Sequence, residues 1–191
     1  MSQQQKMSQQ KMSFKKLKIG VLSDSHRKTK LHQEAIAHLL SCGAEYLLHA
    51  GDLEIEEHLQ ILEDSPVPYV AVYGNNDINL IPLYGTSNIG TYNIHQEPYY
   101  FKIQELKIKM MHHPYYMTPD VDIVISGHTH QFEASLHNTT LFLNPGEVCA
   151  REKPLTECAM IEYDSESKIF NVTHYFKELH KKEWMVRDIE L

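Results

Sequence analysis

The sequence predicts an α/β fold, a four-layer α-β-β-α sandwich of two mixed sheets, on three observations. Short apolar runs alternate first with helical periodicity and later with turns. Most of these runs end in a side chain able to bind a hard or borderline metal ion. At 191 residues, with 42% hydrophobic and 23% charged residues, the chain is long enough to bury one core without a staple.

Leu17 to Leu22 is rich in branched residues and reads as a central first strand. From Lys30 to Leu40, Leu31, Ala35, Ile36, Leu39 and Leu40 recur at helical spacing, and Cys42-Gly43 stops that helix. Tyr46 to His49 is a second strand and roughly Ile55 to Leu62 a second helix. Pro66 and Pro68 restart the chain as extended, and Tyr69 to Tyr73 is a third strand. This β-α-β-α-β opening predicts parallel strands with right-handed crossovers. After Asp77 the pattern becomes strand and turn, over Thr91–Ile94, Tyr99–Ile103, Lys107–Met111, Ile123–Ile125, Phe132–Leu136 and Thr140–Leu143. Ala159–Tyr163 and Ile169–Phe176 flank a hairpin turn at Asp164-Ser165-Glu166-Ser167. Residues 17–191 read as a single domain. Residues 1–16, low in complexity and rich in Gln, Ser and Lys, read as a disordered tail without the apolar core of a signal peptide.

Bulk properties exclude some functions. The net charge of −7 leaves no basic stripe for general nucleic-acid binding. Two divalent ions would nonetheless make one crevice locally positive, so a small phosphate ester stays open as substrate. Cys42, Cys149 and Cys158 show no paired spacing and read as reduced thiols of a cytoplasmic protein. No apolar stretch reaches membrane-spanning length. A symmetric homodimer is the default expectation for an oligomer.

Six islands carry the chemistry: Asp24-Ser25-His26, Gly51-Asp52, Gly74-Asn75-Asn76-Asp77, His112-His113, Gly127-His128-Thr129-His130 and Asn144-Pro145-Gly146. An α/β sheet gathers the C-terminal ends of its strands into one crevice, which would bring these islands together. Two cations need a bridging carboxylate to offset their repulsion, and Asp52, after Gly51, is the best placed. Asp24 and His26 lie two apart and suit one metal, and His128 and His130 can place one imidazole on each. Asn75 offers a carbonyl oxygen and His112 another imidazole. This mixed set suits manganese, iron, nickel or zinc. His49 is expected to orient the Asp52 turn, Asp77 to hold a histidine ring, and Asn144 and Gly146 to form a turn beside the site. Arg27, and less strongly Arg151, could hold a phosphate oxygen. His32, His58 and His174 read as ordinary helix or strand residues without partners, and Tyr115-Tyr116 as core and cleft wall.

In their order these islands resemble the calcineurin-like metallophosphoesterase superfamily. The length and the Asn144-Pro145-Gly146 ending are similar to its small bacterial and archaeal phosphodiesterase branch, which includes the retromer scaffold subunit. The resemblance spans Leu17 to Tyr175. It implies Asp24, His26, Asp52 and His130 on one metal, and Asp52, Asn75, His112 and His128 on the other. It further implies in-line attack on a small phosphodiester, a cyclic nucleotide among the candidates, by hydroxide held between the ions. Two positions depart from the family pattern. Asn76 stands where many members have a histidine, so general-acid help is lacking there. His113 stands where the branch usually has glycine, and could line the cleft or supply that acid. Two alternatives remain: a non-catalytic protein-interaction scaffold of the same fold, and a redox dimetal protein, which the parallel-strand topology opposes.

Overall fold

The computed structural model describes residues 16–83 and 92–191. The N-terminal tract and Thr91 therefore lie outside the described residues, apart from Lys16.

The elements run β1 (Leu17–Leu22), α1 (Thr29–Ser41), β2 (Tyr46–His49), α2 (Glu56–Glu63), β3 (Tyr69–Val72), a 3-10 turn (Ile78–Leu83), β4 (Ile94–His95), β5 (Tyr99–Ile103), β6 (Leu106–Met110) and β7 (Ile123–Ile125). They continue with β8 (Phe132–His137), β9 (Thr140–Pro145), β10 (Leu155–Asp164), β11 (Ile169–Glu178) and β12 (Met185–Ile189). A seven-stranded sheet has the order β12-β11-β10-β1-β2-β3-β4, and a five-stranded sheet the order β5-β6-β7-β9-β8. In the first, β1 to β4 run parallel, while β10, β11 and β12 are antiparallel. In the second, β6, β7 and β9 are parallel, with β5 and β8 antiparallel at the edges. The β-α-β-α-β opening is as expected. The later strands are not all hairpins, because the segments after β6 and β7 cross over and so permit parallel pairing.

Alternation along the strands builds two cores. Ile19 and Val21 of β1 meet Ile108, Met110, Ile123 and Ile125 between the sheets. Leu22 and Leu47 face the other way, onto Ile36 and Leu39 of α1 and Leu59 and Leu62 of α2. The two mixed sheets match the expected architecture, but the layering is thinner on one side. Among the described residues, both α-helices cover the seven-stranded sheet. Outside the five-stranded sheet, the segment after β6 folds back without a helix, and the buried Lys109 ammonium pins it through the Thr118 carbonyl, the Thr118 hydroxyl and Asp120.

This topology positions the site. Asp24, Asp52 and Asn75 follow β1, β2 and β3, while His112 and the His128–His130 pair follow β6 and β7. The C-terminal ends of parallel strands from both sheets thus open on one rim.

Candidate metal centre

Seven predicted side chains form two adjoining groups. In the first, His26 Nε2 lies 3.3 Å from His130 Nε2, and Asp24 Oδ1 lies 3.2 Å from His130 Nε2 and 3.8 Å from His26 Nε2. In the second, Asn75 Oδ1 lies 3.0 Å from His112 Nε2 and 3.1 Å from His128 Nδ1, and those two nitrogens are 3.2 Å apart. Asp52 stands between the groups, with Oδ2 3.4 Å from His26 Nε2 and 3.4 Å from His112 Nε2.

The donor chemistry fits cations. His112 Nδ1 donates to the Ala50 carbonyl at 2.8 Å, His26 Nδ1 to Glu54 at 2.7 Å and His130 Nδ1 to Glu147 at 2.5 Å. Each bond fixes a tautomer and leaves the Nε2 lone pair of the neutral ring facing the centre. Neutral nitrogens so turned toward each other repel, and either a cation between them or a proton on one of them relieves this. Asp24 Oδ1 is fully buried and is left without a donor while the His130 ring is neutral, an acceptor that a cation or a proton on His130 Nε2 would satisfy. Two compact donor groups within the centre, Asp24-His26-Asp52 and His26-His130-Cys149, have ligand atoms within 4.8 Å of one another. Cys149 was not expected here; burial raises its thiol pKa, and Sγ donates to Glu147 at 3.2 Å.

Without metal, protons do part of the cations' work. Burial opposes charge on His130, yet Asp24, Cys149 and Glu147 hold its pKa up at about 11. Burial likewise opposes charge on Asp52, but His112 and Asn76 take its carboxyl far below the ordinary range. Cation binding should therefore release protons.

The supporting residues divide into those the islands contained and those they did not. Asn76 holds Asp52 with both its amide groups, the backbone N–H on Oδ1 at 2.9 Å and the side-chain Nδ2 on Oδ2 at 2.7 Å. Asp77 holds no histidine ring. It accepts the backbone N–H groups of Asp52, Glu54 and Gly74 at 2.9, 2.6 and 2.7 Å, tying two ligand loops together. His113 lines the wall against His128, ring centroids 4.4 Å apart, and donates through Nδ1 to Glu97 at 2.7 Å. Glu97 also accepts the N–H groups of His112 and His113. Arg27 turns to Glu54 at 2.8 Å and stays exposed, whereas Arg151 Nη2 reaches the rim, 3.3 Å from His130 Nε2. Asn144 donates to the Gly127 carbonyl and accepts from Gly146, the turn expected of it. Tyr115 and Tyr116 are exposed, not core.

Glu54, Glu97 and Glu147 were missed because an acid two to seventeen residues from a candidate ligand carries no spacing rule. Glu147, directly after Asn144-Pro145-Gly146, and Glu54, two residues after Asp52, stood close to recognised islands.

Glycine has a steric task at position 74. A Cβ there would overlap both the carboxylate and the backbone nitrogen of Asp52. Gly74→Ala should push Asp52 aside and weaken metal binding roughly 10–100-fold, as loss of a supporting contact does. Titration of apo protein with manganese in a calorimeter checks this, and unchanged affinity would refute it.

A histidine chain lies behind the site. The Gly51 N–H donates to His49 Nδ1 at 3.2 Å, which orients the Asp52 turn as expected. His49 Nε2 then donates to Ser25 Oγ at 2.8 Å, Ser25 to His32 Nδ1 at 2.8 Å, and His32 Nε2 to the His58 carbonyl at 3.2 Å. His32 is therefore partnered, whereas His174 forms no hydrogen bond through its ring, with Nε2 3.1 Å from Glu157 Oε1. Burial, then the neighbouring imidazoles, holds His32 and His49 well below 6.5, and burial brings His58 to about 4.

Unfolded histidines take up protons near 6.5 and these three do not, so stability is full above 6.5 and falls below it. Each unmatched proton costs about 1.4 kcal/mol per pH unit. Asp77, raised by burial to about 6, binds its proton earlier in the fold than in the unfolded chain and offsets one of the three. His112 and His130, both raised, are protonated in both states below 6.5 and add no slope. The melting temperature in EDTA should therefore drop between pH 6.5 and 5; a flat profile would contradict the chain as described.

Comparison with known proteins places this geometry. Residues 17–166 match the calcineurin-like phosphoesterase superfamily domain. A phosphodiesterase of Methanocaldococcus jannaschii is 28% identical over 141 residues, covering 70% of this chain and 85% of that protein. A solved archaeal phosphodiesterase superposes with a TM-score of 0.70 at 25% identity, over 90% of this chain and 100% of its own. Vacuolar protein sorting 29 from Cryptosporidium parvum shares the fold, with a TM-score of 0.67 at 19% identity over 92% of this chain and 98% of that one. The chain belongs to the calcineurin-like phosphoesterase superfamily and is a phosphoric ester hydrolase.

Proposed function

We propose that the chain is a dinuclear, metal-dependent phosphodiesterase acting on a small phosphodiester, a cyclic nucleotide among the candidates. The observation that carries the reading is the Asp52 carboxylate oxygen, equidistant at 3.4 Å from one imidazole of each donor group. Asp24, His26 and His130 share Asp52 around one divalent ion, and Asn75, His112 and His128 share it around the other. Manganese is the favoured metal, and iron, nickel and zinc accept the same donors.

Bound there, the ions would supply an activated water and neutralise the phosphoryl oxygens. The chain's residues do the rest. Asn76 steadies the bridging carboxylate, and Ala50, Glu54 and Glu147 aim the imidazoles. Asn76 has no titratable proton, and its amide is committed to Asp52, so it gives the leaving group none. That favours diesters whose leaving groups depart readily. The diester assignment is supported by the archaeal relatives described as phosphodiesterases. The vacuolar-sorting neighbour keeps the scaffold alternative open, but a scaffold has no need of a complete donor set with Asp24, His26, Asp52, His112 and His130 buried. Among the described residues no helix is long and apolar enough to cross a membrane, which supports a cytoplasmic enzyme.

The test is hydrolysis of bis(p-nitrophenyl) phosphate by metal-stripped protein. Manganese should restore turnover, with activity saturating near two ions per chain. Folded protein inert with manganese, nickel, iron and zinc would favour the scaffold.

A further inference from the structure

The sequence shows no basic stripe, but the fold assembles one. Lys28 and Lys30 open α1, Arg151 follows the Glu147 turn, and Lys177, Lys181 and Lys182 lie at and after the end of β11. A cavity of about 360 Å³ beside the centre is lined by His26, Lys28, Leu31, Arg151 and Leu179. A second, of about 760 Å³, is lined by Leu31, Leu179 and the other four lysines. Leu31 and Leu179 border both, so the two form one groove leading away from His26.

Cations outweigh acids along it. The lining carboxylates are Glu34, engaged by Lys177 and 4.0 Å from Lys30, and Glu54, engaged by His26 and Arg27. Lys181 meets Glu178 at 2.8 Å and Arg151 meets Glu152 at 3.4 Å, both exposed pairs that water screens. Lys28 and Lys182 have no carboxylate partner among the described residues. Trp184 is stacked on His38 at 4.5 Å with Lys177 over its ring at 5.4 Å, so the groove offers charge and no free aromatic face. Such a surface tracks a phosphate backbone without reading bases.

We propose that this groove seats the phosphates flanking the scissile one, so that the substrate is a short single-stranded oligonucleotide. Turnover rests on the phosphodiesterase reading above; binding does not. In the reaction water oxygen bonds to phosphorus, the P–O bond to one sugar breaks, and the departing sugar oxygen gains a proton from that water.

Two arms test it. In EDTA, a fluorescein-labelled twelve-residue oligothymidylate should bind in anisotropy titrations with log K falling against log salt at a slope of about −2, as for three phosphates at ~0.7 each. Lys181→Gln/Lys182→Gln should flatten that slope by about 1.4. With manganese, the same double variant should raise KM for the oligonucleotide about ten-fold and leave bis(p-nitrophenyl) phosphate hydrolysis unchanged. A slope the variant does not move, or equal loss on both substrates, would overturn the groove. Binding as expected with no turnover of either substrate would uphold the groove and sink the phosphodiesterase reading. Inorganic polyphosphate displacing the oligonucleotide at ten-fold lower phosphate concentration would overturn the nucleic acid in favour of polyphosphate.

Discussion

Asp52→Asn should lower metal-dependent hydrolysis by ~1000-fold or more, about 4 kcal/mol of barrier, while the fold survives. Among the described residues, the carboxylate is the only anionic group within 3.4 Å of an imidazole from each donor group. Two dications about 4 Å apart repel strongly even at an effective dielectric constant of 20, and a neutral amide offsets little of that. The fold has less at stake. Asn76 keeps one acceptor for its backbone N–H, and in the metal-free chain one fewer negative charge faces Asp24. Circular dichroism should be unchanged, the apo melting temperature close to wild type, and the rise in melting temperature on adding manganese largely lost. Wild-type turnover in the variant would remove the dinuclear reading.

Glu147→Ala should be the costliest change to stability. This carboxylate is fully buried and accepts His130 Nδ1, the Cys149 thiol and the backbone N–H groups of Arg151, Glu152 and Lys153. His130 and these amides hold its pKa down at about 2 against the pull of burial, so it is ionised at neutral pH. Alanine strands five donors in a part-buried turn, a loss of roughly 3–5 kcal/mol by analogy with breaking buried pairs. At 2–4 °C per kcal/mol for a domain of this size, the melting temperature should fall by about 10 °C. Glu147→Gln separates the two roles. It keeps an acceptor for part of the turn but no longer holds the His130 tautomer, so metal affinity should fall about 10–100-fold with a smaller thermal loss. Equal melting temperatures for wild type and Glu147→Ala would refute the account.

The metal centre was legible because its residues sit at the ends of apolar runs, and an α/β sheet turns that one-dimensional pattern into proximity. Asp24, His26, Asp52, Asn75, His112, His128 and His130 all follow this rule. Glu54, Glu97 and Cys149 obey no such pattern, since their contacts depend on how loops return to the rim. The His49-Ser25-His32 chain was hidden for a related reason. His32 lies on the buried face of α1, and only packing that helix on the sheet brings it to Ser25. Strand β12 escaped notice because Met185, Val186, Arg187 and Asp188 at the sheet edge lie exposed and show no alternation. Among the described residues, the absence of a helix outside the five-stranded sheet could not be read either, because the segment after Met111 has the polar and aromatic mix of many loops.

Asp24, His26, Asp52, His128 and His130 all have positive φ, between 38° and 68°. Each such non-glycine residue carries on the order of 1–3 kcal/mol of backbone strain. The candidate centre is thus a region of stored tension that cations bound there would help to hold. Glycine at these positions would relieve the backbone but also remove the contacts these side chains make, Asp24 to the His128 N–H, Asp52 to Asn76 and His130 to Glu147. Five left-handed residues on one rim are a cost that the proposed chemistry, and not the packing of the two sheets, would account for.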